Sequence, residues 1–274
     1  MVNKTTAVYS IIDYILKAIN HYDDKRRTMT DAEVITTAII STMFFYGNME
    51  KARSFMSSTG IVKNMLSKSR FCRRVHALSD LIYDMFHQLG SVLKTINISS
   101  EYIVDSFPVP ICDNIRISRC RIVNSEDYRG YIASKKRYFY GIRVHILATS
   151  DGIPVELSFL PGEAHDVRGL DVLCMDLPSN SYVYGDGAYT DYDIEDIMKE
   201  IDNVNLDPLR KKNSLRYDEP AIRIYKKLTR KYIETVFSVI SSYLPKWIHA
   251  VTLKGFLLKV CLFVFAYTLD KAFL

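Results

Sequence analysis

Residues 101–106, Glu-Tyr-Ile-Val-Asp-Ser, limit the possible folds more than any other stretch. Everything before them keeps a helical period, and here the period breaks. Tyr102, Ile103 and Val104 are strand formers, and Phe107-Pro108-Val109-Pro110 is expected to stop the strand at once. Asp105 is thereby expected at the mouth of a buried strand. Its carboxylate can reach solvent or a metal there while its backbone stays paired. A lone Asp in such a place reads equally as a turn residue, but this one has company. A second apolar run, Tyr182-Val183-Tyr184, ends in Gly185-Asp186-Gly187-Ala188-Tyr189, and a later helical stretch, Arg230-Lys231-Tyr232-Ile233-Glu234-Thr235, carries a third acid. Two strand ends and a helix thus present Asp105, Asp186 and Glu234, an acidic set suited to a divalent cation.

The rest of the chain is read around that set. Apolar spacing predicts a helix over 8–19. Thr30 with Glu33 three residues on predicts a capped helix start, running to about Tyr46 and stopping at Gly47-Asn48. Further helices are expected over 49–58 and, as one piece, from Ser67 to about Leu93. Residues 137–149 alternate, with Tyr138, Tyr140, Ile142, Val144 and Ile146 against Phe139, Gly141, Arg143 and His145. Asp151-Gly152 is a hairpin signal, and the return strand should cover 153–160. A helix over 167–175, a strand over 182–184 and a helix over 191–201 follow. Residues 208–217 read as a polar, basic loop. Pro220 opens a long helix, and a last helix spans about 253–271. The pattern predicts an α/β protein: an all-helical region over 1–98, then a mixed-sheet domain over 99–274.

Charge is informative in its distribution. The chain of 274 residues carries a net charge of only +5. From Arg116 to Arg143 there are eight Lys or Arg against Glu126 and Asp127, and from Arg210 to Lys231 nine against Asp218 and Glu219. The segment between them is acidic. Basic blocks around an acidic one suit a protein that grips a polyanion and works on it with metal. Five cysteines at irregular spacing, with no Cys-x-x-Cys, predict free thiols in a reducing compartment and argue against zinc. The most apolar stretch, 256–269, contains Lys259 and is shorter than the roughly twenty residues of a membrane span, so a buried helix is expected and no membrane partner.

Four ordered blocks carry a family resemblance: Ile103-Val104-Asp105-Ser106-Phe107-Pro108-Val109-Pro110, residues 131–141, Gly185-Asp186-Gly187-Ala188-Tyr189, and Ile233-Glu234-Thr235-Val236-Phe237-Ser238. Ser67-Lys68-Ser69-Arg70-Phe71 with Arg73-Arg74 adds to them. The chain resembles, over almost its whole length, insertion-sequence transposases of the DDE class with a ribonuclease H-like core, and is most similar to the insertion-sequence family numbered 982. The resemblance implies metal-dependent cleavage and strand transfer on double-stranded DNA, at terminal inverted repeats and target. It also implies Asp105, Asp186 and Glu234 as ligands of two Mg²⁺ ions with Mn²⁺ tolerated, a homo-oligomer in the active complex, and a cytoplasmic location. Related families place Tyr, Arg and Lys around the last Glu. Arg230 fits that pattern, whereas Lys227 and Ser241 stand where Tyr and Lys would be.

The chemistry agrees with the residue types. Phosphodiester cleavage needs a deprotonated nucleophile and charge relief on the leaving oxygen, which two hard cations roughly 3.5–4 Å apart supply. Asp105, on the strand expected to be central, would bridge them. Glu234 is read as a metal ligand, with a surface pair to Arg230, one turn earlier on the same helix face, as its alternative. Lys135, Lys136 and Arg137 before a strand, Arg70, Arg73 and Arg74 on one helix, and Lys227 with Arg230 are candidate DNA contacts, each set with a plain solvated face as its alternative. Asp166, after a Pro-Gly turn, reads as a helix N-cap or a spare carboxylate. A nuclease or resolvase on the same fold, or an inactive DNA-binding descendant, are the competing functions.

Overall fold

The computed structural model describes residues 1–211 and 214–274. The chain begins with five helices: α1 (Val2–Ala18), α2 (Asp31–Phe45), α3 (Met49–Ser58), α4 (Lys68–Ala77) and α5 (Ser79–Thr95). The strands β1 (Glu101–Cys112), β2 (Arg129–Ile132), β3 (Arg137–Thr149) and β4 (Pro154–Pro161) follow. Then come α6 (Arg168–Val172), β5 (Tyr182–Tyr184), α7 (Tyr192–Ile197), β6 (Asn205–Leu206), α8 (Pro220–Tyr243) and α9 (Leu253–Phe273). Among the described residues no helix is long and apolar enough to cross a membrane, and all five cysteines are free thiols.

Two compact units result: Met1–Leu89 with Tyr243–Leu274, and Gly90–Ser242. The linear division at residue 98 therefore needs correction, because the last helix returns to the helical unit. The cause is its composition. Residues 260–266 of α9 are buried without a break, so the helix needs cover on every side. It finds that cover among helices. Phe265 packs edge-on to Phe86 at 5.7 Å, and Thr42 Oγ1 donates to Leu262 O at 3.3 Å. The capping box at Thr30 forms as expected, the Glu33 N–H donating to Thr30 Oγ1 at 3.1 Å and Thr30 N–H to Glu33 Oε2 at 2.8 Å. The single helix expected from 67 to 93 is broken at Leu78 (φ −91°, ψ 7°), and a new helix starts on Ser79-Asp80, residue types that favour helix starts.

In the second unit a six-stranded sheet runs β2-β3-β1-β5-β6, with β4 also on β3. β1 pairs antiparallel with β3 from Tyr102↔Thr149 to Cys112↔Tyr140, and parallel with β5 only over residues 101–103. Strand with acid, hairpin, short helix, strand with acid and helix with acid follow one another in the order expected of a ribonuclease H-like domain. β1 does not stop at Pro108; it continues through both prolines. Pro108 and Pro110 have the same parity, so both lack their N–H on one edge, the edge that β5 covers only as far as Ile103. Opposite Pro110 stands Gly141, where a Cβ would meet Val109 O at 2.2 Å, so the strands close here only on glycine.

The segment read as a basic loop, 208–217, has no regular structure among its described residues; 212 and 213 lie outside them. It is nevertheless pinned. Buried Glu195 accepts Arg210 through two bonds of 2.5 and 2.7 Å and Arg216 at 2.9 Å. Buried Lys226, in the second turn of α8, pairs with Asp218 at 2.6 Å and with Asp207. Both ends of the connection from β6 to α8 are thus held by desolvated ion pairs, which lose several kcal/mol when one partner is removed. Ile233, Val236, Phe237 and Ile240 bury one stripe of α8, and Val236 lies against the Gly152 turn between β3 and β4.

Candidate functional site

Asp105 sits two residues beyond the last β1–β5 pair, where the sheet opens. One of its oxygens accepts the Ser106 N–H at 2.7 Å. Burial, against the pull of the Ser106 N–H and together with the charges of Asp186, Asp166 and Glu234, raises its carboxyl to about 7. Asp186 follows β5 and caps the turn of residues 187–189, accepting the Ala188 N–H at 2.8 Å. Among the described residues neither Asp105 nor Asp186 has a cationic partner. Glu234 lies on the exposed face of α8 with its side chain 61% accessible, and Arg230 Nε donates to it at 3.1 Å. The surface pair and the field on Asp105 are therefore both present. The three carboxylates share one unit without being drawn tightly together. Among the described residues, the one trio of metal-capable donor atoms within 4.8 Å of one another is His21, Asp23 and Asp31, in the helical unit.

Asp166 is not an N-cap. Val167 holds that position on α6, and no side chain caps it. Asp166 instead accepts the Ser106 hydroxyl at 2.5 Å and an Arg143 N–H at 3.4 Å, which brings a fourth carboxylate beside Asp105. Sequence reasoning also passed over His145 and Tyr189. His145 is fully buried, its Nε2 has no partner among the described residues, and its Nδ1 lies 3.3 Å from the Tyr189 hydroxyl. Burial pulls its pKa down to about 4. Burial, with Asp105, Asp166 and Asp186 behind it, lifts the Tyr189 phenol far above its ordinary range. Both side chains are neutral near pH 7 and bring no charge to the carboxylates. Gly169 makes room for the imidazole, since a Cβ there would stand 2.2 Å from His145 Nδ1. The signal for His145 and Arg143 was their shared side of the alternating strand.

The basic candidates divide. Arg70 and Arg73 are exposed on α4. Arg74, expected beside them on a DNA-facing surface, turns inward. Its guanidinium holds fully buried Asp31 at 2.9 and 2.5 Å, and Arg27 (2.9 Å) and His21 (2.9 Å) hold the other oxygen. Lys135, Lys136 and Arg137 are exposed at the β2–β3 turn, where Lys136 takes a left-handed backbone (φ 47°). None of the three has an ion pair among the described residues. Lys227 is exposed on α8.

These observations test the site for metal. Asp105, Asp186 and Asp166 are hard oxygen donors, and Asp105 is lifted to about 7 by burial and by the charges of neighbouring acids. A divalent cation relieves that cost, so the residues fit one. The His21–Asp23–Asp31 trio does not, because Arg74 and Arg27 already occupy the Asp31 oxygens.

No curated protein and no solved structure matches the chain. A family model, described as a transposase DDE domain, matches residues 96–245, more than half of the chain and the whole stretch from Asp105 to Glu234. With the acid-bearing strands and helix in the order that such a domain requires, the chain belongs to the transposase DDE domain family.

Proposed function

We propose that the chain is an insertion-sequence transposase, similar to the family numbered 982. In this reading it binds the element's terminal repeats as a homo-oligomer in the cytoplasm and cuts and joins DNA with Asp105, Asp186 and Glu234 as ligands of two Mg²⁺ ions, Mn²⁺ serving as well. The observation that carries the reading is the field on Asp105: the two other acids of the proposed triad both act on this one buried carboxyl, and all three fall within the matched domain.

Each residue has a defined task. The Ser106 and Ala188 N–H groups fix one oxygen each of Asp105 and Asp186, leaving the others to point at a ligand. Asp166 restrains Ser106 through its hydroxyl, and so the Asp105 backbone. Bound ions supply charge relief on the leaving oxygen and an acidified nucleophile. The Arg230–Glu234 pair is no obstacle: at such exposure it is worth about 0.2–1 kcal/mol, far less than a ligand bond to a divalent cation. Arg230, released, is placed to take a phosphate oxygen, as is Lys227. Lys135, Lys136 and Arg137 supply further backbone contacts from the hairpin turn, and Arg70 and Arg73 from the helical unit.

The test is a gel-shift and a Mg²⁺-dependent nicking assay on one duplex carrying the element's end. Glu234→Gln is expected to nick orders of magnitude more slowly while binding within a few-fold of wild type. Lys135→Ala is expected to bind more weakly with less direct loss of chemistry. Near-normal nicking by Glu234→Gln would remove Glu234 from the site.

A further inference from the structure

Asp105 and Asp186 sit on neighbouring strands, but the pairing of those strands stops short of both. The last parallel pair of β1 with β5 is Ile103↔Tyr184, and each acid lies two residues beyond it. Backbone pairing therefore aligns the strands and leaves the spacing of the two carboxylates to side chains. Tyr189 is placed to set it. Its N–H donates to Asp186 O at 3.2 Å, closing the turn that Asp186 caps. Its fully buried ring passes β1 to reach His145 on β3, the strand on the other edge of β1. There the hydroxyl lies 3.3 Å from His145 Nδ1, and the two rings meet edge-on with centroids 6.5 Å apart. His145 stands opposite Ser106 in the β1–β3 ladder, and Ser106 follows Asp105. Two glycines keep the path clear. Gly169 makes room for the imidazole, and a Cβ on Gly185 would stand 3.1 Å from Val104 and 3.3 Å from Tyr189.

A buried imidazole is a poor choice for packing alone. Among the described residues its Nε2 is unmet, and leaving a buried polar atom unmet costs stability. The contact with Tyr189 is what His145 supplies in return. We propose that Tyr189 and His145 are positioning residues for the metal site: their hydrogen bond ties the turn that carries Asp186 to the strand pair that carries Asp105, and so fixes the separation of the two carboxylates. The inference rests on the reading of these acids as metal ligands. It adds that their geometry is set from behind, by two neutral side chains that touch neither the ion nor DNA. Groups that orient ligands in this way govern metal affinity without binding the metal themselves.

The test is calorimetric titration of Mn²⁺ into the full chain, with unfolding midpoints measured on the same proteins. Tyr189→Phe keeps the ring and removes the tie. It is expected to bind Mn²⁺ about tenfold more weakly than wild type, the usual loss when a group behind a metal ligand is removed. Tyr102→Phe is the control. It also removes one buried hydroxyl bond, to Lys94 O at 3.1 Å, but one that joins neither acid. It should keep wild-type affinity whatever its effect on the midpoint. His145→Leu should weaken Mn²⁺ binding as Tyr189→Phe does, and the double variant no further, because both changes cut the same bond. His145→Asn, whose amide can stand in for Nδ1, should stay near wild type. The Mg²⁺ concentration for half-maximal nicking should rise in the same order. Wild-type affinity in Tyr189→Phe, or an equal loss in Tyr102→Phe, overturns the positioning role and leaves the metal reading standing. If the His145 variants do not fold, Tyr189→Phe against Tyr102→Phe decides alone. A wild-type protein with no saturable Mn²⁺ binding overturns both.

Discussion

The molecule holds two clusters of acids that differ in what surrounds them. In the helical unit Asp31 is fully buried, and burial alone would raise its pKa. Hydrogen bonds from His21 and Arg74 outweigh that and hold it below the usual carboxylate range. In the sheet unit Asp105 has no cationic partner among the described residues and is lifted to about 7. The helical cluster is the tighter of the two in space. Proximity of acids is therefore a poor guide to a metal site. The informative quantity is charge left uncompensated, because a buried ion that already has its counter-ion gains nothing from a second cation, whereas a set of like charges does.

The largest effect that separates the clusters is on chemistry. Asp105→Asn should slow Mg²⁺-dependent nicking by about a thousandfold, several kcal/mol of lost charge relief, whereas His21→Gln should leave the rate within a few-fold. A nicking assay on both variants decides it. Next in size is a stability effect of opposite location. Arg74→Ala strips a partner from fully buried Asp31 and should destabilise the helical unit by about 3–5 kcal/mol, read as a lower midpoint in denaturant unfolding. If Arg74 instead served DNA, stability would be unchanged and only binding would fall.

The pH dependence of the apoprotein sharpens the same contrast. Between its ordinary value of 3.8 and about 7, Asp105 binds its proton more tightly folded than unfolded. Its contribution to stability is therefore fully present below pH 3.8 and is lost as pH rises through 7. Asp105→Asn should raise apoprotein stability relative to wild type at pH 8, by at most about 4 kcal/mol, and by much less at pH 5. The depressed pKa of His145 runs the other way, with stability lost as pH falls from 6.5 towards 4. The difference between the two proteins cancels it. Equal gains at pH 5 and pH 8 in chemical unfolding would contradict the assignment. The smallest effect is at the surface: Arg70→Ala and Arg73→Ala should each weaken end-DNA binding a few-fold at low salt, with a shallower salt dependence, and leave the unfolding midpoint alone.

How much of this was legible in the chain depends on the range of the forces involved. Thr30 with Glu33 marked a helix start, and Gly47-Asn48 before α3 and Gly60 after it bounded that helix, because capping is local. Tyr182-Val183-Tyr184 announced β5 correctly for the same reason. What escaped depends on partners far along the chain. The prolines of β1 are tolerated because its pairing with β5 ends at Ile103. The two-residue β6 exists only as a parallel partner of β5, on the side away from β1. α9 reads as an apolar helix, but which unit it would join was not written in it. Arg74 shares a helix with Arg70 and Arg73 and differs from them only in facing an acid 43 residues earlier. Asp166 follows the turn signal of an N-cap, yet its carboxylate is drawn to Ser106, 60 residues back.

The most direct test of the account is calorimetric titration of Mn²⁺ into the full chain at pH 8, where Asp105 is ionised, for wild type, Asp105→Asn and His21→Gln. The account predicts saturable binding to wild type, affinity reduced at least tenfold in Asp105→Asn, and an unchanged isotherm for His21→Gln. A wild-type isotherm from Asp105→Asn, or loss of binding in His21→Gln, would contradict it by placing the metal in the helical unit.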